Sequence, residues 1–191
     1  MKQRNTLART LHDVGAAAWF GGALMGAVAL NGAARSVKDP AQRVRVASVG
    51  WARWSPVNAA AVGAHLVGGL GVLIANRDRA RLQDGVTANT GVKAALTLAA
   101  LGTTAYSGLL GARLSKAGEV DAEGPVVPSA GTPGDVAQAQ QMLRALQWAT
   151  PALTGAVIAL GSQQGEQQRA REVTRGIGRK AARAGRARLG R

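Results

Sequence analysis

The chain has 191 residues, enough for one domain of ordinary size, with 24 lysines and arginines against 10 acids and a formal net charge of +14. Hydrophobic residues make up 47%, yet only six residues are aromatic and 26 are glycine. The absence of cysteine removes disulfides, thiolate metal sites, iron–sulfur clusters and cysteine nucleophiles, and a count of two histidines removes most histidine-rich metal sites.

Four stretches carry no Asp, Glu, Lys or Arg: Val14–Ala34, Trp54–Asn76, Ala94–Ala112 and Ala145–Gly165. Each is about the ~20 residues a helix needs to cross ~30 Å of hydrocarbon. A soluble Ala-rich bundle is the alternative, and the mean hydropathy of +0.01 speaks for it. Such a bundle needs a polar face on every helix, however, and these stretches have almost none. The expectation is an all-α polytopic membrane protein. Its four-span domain covers 1–168, with spans at about 14–34, 56–76, 93–113 and 146–165, followed by a basic tail over 169–191.

The first span follows Lys2, Arg4 and Arg9, a pattern that imitates a secretory signal. Its apolar run exceeds the ~7–15 residues of a signal's core, so a retained span is expected. Gly22 and Gly26 form a GxxxG pair that would let another backbone approach closely. Beyond it, Asp39–Trp54 reads as an interfacial helix, with Asp39 as N-cap, Pro40 at the first helical position and Gln42 at the third. Val44, Ala47, Trp51 and Trp54 recur at spacings of three and four and give it one apolar face, with Arg45 pointing away. Trp51 and Trp54 stand just before the second span and Trp148 just before the fourth, where indole rings anchor helices at headgroup level.

The second span carries a small-residue ladder, Ala60, Ala64 and Gly68, with His65 near its middle. The third carries a five-step ladder, Ala95, Ala99, Thr103, Ser107 and Gly111, read as a close-packing face. The linker Gly124–Gly134, with Pro125, Pro128 and Pro133, reads as flexible. The fourth span ends with Gly161 and Gly165.

The tail holds nine basic residues and one acid, Glu172. Arg171, Arg175, Arg179, Lys180, Arg183, Arg186 and Arg188 are the candidate contacts to anionic lipid headgroups. Phosphates of nucleic acid would attract the same charges. The tail has no aromatic residue for base stacking, and its tether to a span favours lipid, so nucleic acid is not the expected partner. A topology-determining role underlies both readings. With four spans both termini share one side, which then carries 15 basic residues against 8 on the other, placing the termini in the cytoplasm.

The two outer loops look alike. Asp39-Pro40-Ala41-Gln42 precedes Trp54-Ser55-Pro56, and Asp135-Val136-Ala137-Gln138 precedes Trp148-Ala149-Thr150-Pro151. Two readings stand: a parallel repeat of two helical hairpins, or the common needs of any helix entering a membrane from outside.

Little points to chemistry. The spans hold no carboxylate, and the chain has no GxSxG, no P-loop, no dinucleotide fingerprint and no catalytic carboxylate pair. His12 lies at the inner end of the first span and His65 in the middle of the second, a vertical offset of roughly 15 Å at about 1.5 Å per residue. That offset is too large for shared ligation of one iron or copper. No cofactor is expected. The expected function is a non-enzymatic structural or accessory role in the bacterial plasma membrane, packing against a membrane-protein partner or a second copy. The alternative is a carrier of a small molecule or metal, copper or haem, using the His65 region.

Leu11-His12 through Trp19-Phe20-Gly21-Gly22 resembles the start of the first span in copper-resistance-D-like bacterial membrane proteins, where a His precedes a Trp-x-Gly-Gly. The likeness covers one span and implies copper handling at His12. Over its whole length the chain is similar to conserved actinobacterial four-helix membrane proteins of no assigned activity. Ala18–Gly26, Gly50–Asn58, His65–Asn76 and Gln147–Gly155 carry that likeness, which implies an integral plasma-membrane location.

Overall fold

The computed structural model describes residues 5–82 and 84–167, with side chains described for 5–75 and 89–163. The chain is mostly helical. Helix α1 (Thr6–Met25) passes through one π turn (Gly26–Leu30) into α2 (Asn31–Arg35), forming a single rod. Helices α3 (Pro40–Leu82), α4 (Asp84–Ala117) and α5 (Gly134–Gln167) follow, and a two-stranded antiparallel hairpin, β1 (Ala122–Gly124) with β2 (Val127–Pro128), lies between the last two.

Three stretches are long and apolar enough to cross a membrane: Thr6–Arg35, Pro40–Ala75 and Asn89–Ala117. Their outward faces are apolar as well. Val67, Ile74, Leu98 and Leu109 are each more than 60% exposed. Large aliphatic side chains in such density on the outside suit a lipid solvent, because water would favour the opposite arrangement. The chain therefore has the character of a membrane protein.

The turn between α2 and α3 is short. Ser36 N–H and Val37 N–H donate to Ala33 O and Ala34 O, closing the first rod. Asp39 Oδ1 accepts from Ala41 N–H at 3.0 Å, so Asp39 caps α3, whose first residue is Pro40. The segment that follows is not a separate interfacial helix. Residues 40–54 continue without a break into the second span as one 43-residue helix. Pro56 sits inside it, and Ser55 Oγ donates to Trp51 O at 2.9 Å, supplying a local side-chain bond beside the position that lacks an N–H.

Two helix pairs result. The α1 rod lies antiparallel against α3 along a seam of glycines, and α4 lies antiparallel against α5. Contact between α3 and α4 is sparse by comparison. At the end of the bundle that holds the α2–α3 turn, the loop after α4 folds into a cap. Val44, Leu110, Leu114, Ala122, Val136 and Ala139 form a buried cluster beneath it.

The cap overturns the expectation of a flexible linker. Buried Gln140 donates through Nε2 to Gly124 O at 3.1 Å and Pro125 O at 3.3 Å. Arg43 donates through Nε to Val37 O and through a terminal nitrogen to Ala122 O at 3.1 Å and Glu123 O at 3.3 Å. Side chains from two helices thus satisfy loop carbonyls that would otherwise need water, and the prolines stiffen the backbone between them.

Candidate functional site

His12 and His65 meet face to face. Their ring centroids are 4.1 Å apart with an 18° interplanar angle. His12 Nδ1–H donates to His65 O at 2.9 Å, and His65 Nδ1–H donates to His12 O at 3.0 Å. A carbonyl only accepts, so both rings carry their proton on Nδ1 and are clasped reciprocally to the opposite backbone. Close approach makes the clasp possible. A Cβ on Gly15 would lie 2.5 Å from His65 N, and one on Gly68 would lie 2.5 Å from Ala8 O.

This corrects the expected vertical offset between the two histidines. That expectation took depth from the edges of the charge-free stretches, whereas the short turn sets the register. His12 stands almost as far before the turn at Ser36 as His65 stands after it at Pro40, so an antiparallel pair brings them level.

Trp19 continues the arrangement outward. It is 2% exposed, meets the His65 ring edge-on at 6.0 Å between centroids, and donates from Nε1 to Thr104 Oγ1 on α4 at 3.0 Å. On α4, Lys93 Nζ stands 3.4 Å from where a Cβ on Gly161 of α5 would lie.

Two imidazoles do not make the implied metal centre. Among the described residues no group of three or more His, Cys, Asp or Glu could hold a metal ion. Stacked rings 4.1 Å apart turn faces to one another, so the two cannot serve as axial ligands on opposite sides of one haem iron. Each Nδ1 is committed to a carbonyl, leaving two Nε2 lone pairs and no further donor of those types grouped with them. The two residues form a structural clasp and cannot hold one haem iron between them.

Above Trp19 lies a cavity of about 670 Å³. Trp19 and Thr104 form its floor, and Pro125 and Val126 of the cap contribute its roof. The walls come from α3 and α4, backed by Ala23 and Asn31 of the first rod and Leu143, Leu146 and Gln147 of α5, and the side between α3 and α4 is open. Ala52, Ser55 and Ala59 of α3 are exposed there opposite Ala105, Gly108 and Ala112 of α4. Not one lining residue is an acid, a lysine, an arginine or a histidine.

The predicted packing residues fall in different places. Gly22 and Gly26 lie in the α1–α3 seam, where a methyl group would overlap the rings of Trp54 and Trp51 respectively. Trp51 also donates to Asn31 Oδ1 at 3.2 Å, and Asn31 Nδ2 donates to Gln147 Oε1 at 2.9 Å, tying α3, α2 and α5 together. Trp51 and Trp54 lie well inside α3, several turns past its start at Pro40. Both rings pack into the α1–α3 seam, while Trp148 is 52% exposed.

The five-step ladder of α4 does not form one packing face. Steps of four drift by about 40° each, so Ala95 and Gly111 point about 160° apart. Ala95 and Ala99 are exposed, and Thr103 Oγ1 accepts from Thr150 Oγ1 at 3.0 Å on α5. Ser107 and Gly111 line the cavity, and a Cβ on Gly111 meets nothing within 4 Å. The candidate lipid contacts Arg171, Arg175, Arg179, Lys180, Arg183, Arg186 and Arg188 lie outside the described residues.

Sequence reasoning missed the clasp, the cavity and the Arg43 and Gln140 staples. The short segment between Ser36 and Pro40 was the available signal, since it sets the register of everything paired across it. Compared with known protein families, with curated proteins and with solved structures, the chain matches none.

Proposed function

We propose that this is a four-span accessory protein of the bacterial plasma membrane, its termini cytoplasmic, that works without chemistry of its own by holding a small molecule between α3 and α4. The cavity carries the proposal. Its hydroxyl groups have no acid, imidazole or lysine beside them in the lining to act as a base, so the site is suited to occupancy rather than turnover. The fourth span rests on packing. Helix α5 is held against α4 by Thr150 and Thr103, against α2 by Gln147 and Asn31, and beside α1 where Phe20 meets Gly155. A helix in that register crosses wherever its neighbours cross.

The two hairpins, each with an aspartate at the start of its second helix, support the repeat reading. The basic tail completes the picture as a contact to anionic headgroups on the cytoplasmic face, worth about 1 kcal/mol for each residue near the surface. The test is retention. Protein purified in mild detergent should carry a co-purifying small molecule near one per chain, and Gly111→Leu should lose it while remaining folded. Equal retention by both proteins, or none by either, overturns the reading.

A further inference from the structure

The lining of the cavity states the chemistry of its occupant. Three features restrict it. The first is charge: with no ionic side chain in the wall, a charged ligand would lose its hydration without gaining a partner. The second is shape. Ala, Gly and Ser of α3 and α4 face the cavity between larger apolar groups such as Trp51, Trp54 and Leu101, which leaves an apolar slot, and about 670 Å³ lies within the range of sites that bury most of a small ligand. From Val44 beneath the roof to Asn58 near the floor, α3 runs for about 21 Å at its regular rise. That length exceeds the about 15 Å that a leaflet offers one lipid chain, so a single extended chain can lie within the slot.

The third feature is a set of uncommitted polar groups. Asn58 lines the deep end half-buried, and its amide has no hydrogen-bond partner among the described residues. The hydroxyls of Ser48 and Ser107 line the same slot and are likewise without partners there. By contrast, Asn31, Gln147, Trp19 and Thr104 are bonded to partners on other helices. In hydrocarbon an unpaired amide is costly, and Asn58 is both donor and acceptor.

Building on the holding function proposed above, we infer that the cavity binds a neutral single-chain lipid with its oxygen-bearing end at Asn58 and its chain along the Ala/Gly wall, entering sideways from the bilayer between α3 and α4. A hydroxyl or carbonyl oxygen would satisfy the Asn58 amide, and an aliphatic chain would reach Val44, Leu114 and Val126 beneath the cap. The open side faces apolar surroundings, so the ligand passes from lipid to protein without crossing water.

The test uses full-length protein in phosphatidylcholine–phosphatidylglycerol nanodiscs and three photoreactive probes of equal chain length. One is a diazirine-bearing hexadecanol, one the matching fatty acid and one the matching alkyltrimethylammonium. The alcohol should label peptides of α3 and α4 that line the slot, at least tenfold more than either charged probe. Gly111→Leu should abolish this labelling. Nothing stands within 4 Å of a Cβ at Gly111, so that variant fills the slot and keeps the fold. Gly63→Leu, equally open but outside the slot, should label like the parent. Asn58→Leu should lower alcohol labelling without removing it.

Equal labelling of the slot by all three probes, each blocked by Gly111→Leu, would overturn the neutral-lipid inference and leave the holding function standing. An absence of slot labelling, or labelling indifferent to Gly111→Leu, would overturn both. Chain-to-chain crosslinks through the slot would mean that a second copy of the protein fills it, and would also overturn the lipid inference.

Discussion

Replacing His12 and His65 by alanine, singly and together, tests whether the clasp holds the first helix pair. Each single change removes one bond from an imidazole to a carbonyl and also the ring stack. A protein hydrogen bond is worth about 0.5–1.5 kcal/mol, nearer 0.6 between helices in a membrane. A stacked ring pair adds about 0.5–1.5 kcal/mol. Each single variant should therefore lose about 1–3 kcal/mol, with the upper end reached if the site does not collapse. The double variant separates the terms. Both hydrogen bonds run from a side chain to a backbone oxygen, so each belongs to one residue and is lost once. The stack belongs to the pair and is counted in both singles. The double variant should then be more stable than the sum of singles predicts, by about 0.5–1.5 kcal/mol. His12→Phe keeps a ring and loses the Nδ1–H donor, and should fall between parent and alanine. Unfolding by SDS in mixed micelles, followed by tryptophan fluorescence, gives the measurement, because Trp19 touches His65. Singles that match the parent would refute the clasp, and strict additivity would refute the stack.

Gly22→Ala and Gly26→Ala should each cost about 1–3 kcal/mol in the same assay, since a methyl there overlaps a tryptophan ring, whereas Gly63→Ala should be near neutral. A stable Gly22→Ala would mean that Trp54 moves aside freely. Because the chain lacks cysteine, Ser129→Cys should react with an impermeant thiol reagent in intact cells and Gly185→Cys should not; the reverse pattern would invert the proposed orientation. Arg43→Ala removes three bonds to carbonyls of the turn and the cap, so cleavage after Glu119 or Glu123 by a glutamate-specific protease should accelerate about tenfold or more, about 1.4 kcal/mol being a factor of ten. Unchanged cleavage would show that Gln140 alone holds the cap.

Helical character and apolar length were legible in the sequence because both follow from one-dimensional pattern. The runs without charge lie within helices, and Asp39-Pro40 starts a helix as its capping chemistry requires. Depth was not legible. Asp39–Trp54, which carries Arg43, Arg45 and Arg53, read as a separate interfacial helix, yet its residues from Pro40 on belong to the same continuous α3 that carries His65. Charge marks which residues avoid hydrocarbon, and it does not mark where a helix begins. Pairing needed the turn length as well. The cavity was hidden for a different reason. Ser107, Gly108 and Gly111 look the same in sequence whether they admit a neighbouring backbone or leave a gap, and only the open side between α3 and α4 distinguishes the two. The staples from Arg43 and Gln140 bond to loop carbonyls, which have no sequence signature.

The π turn at Gly26–Leu30 has a consequence for how this chain tolerates changes of length. The seam positions Gly15, Trp19, Gly22 and Gly26 are followed by Asn31 and Ala34, with Ala16 and Ala27 buried beside them, so the step from Gly26 to Asn31 is five where the others are three or four. In an ordinary α-helix such a step would swing Asn31 by roughly 140° from the line of Gly26, away from Gln147. The wider turn absorbs the surplus residue and returns the stripe to phase. Shortening the chain by one at exposed Val28 would convert the bulge to a regular helix with both flanks still in phase. The same deletion at Ala17 would put every position before it out of step with α3, parting His12 from His65. Length variation in the first rod is therefore confined to one turn, and natural variants of this protein that differ there by a residue should keep both the indole-on-glycine seam and the Asn31–Gln147 bond.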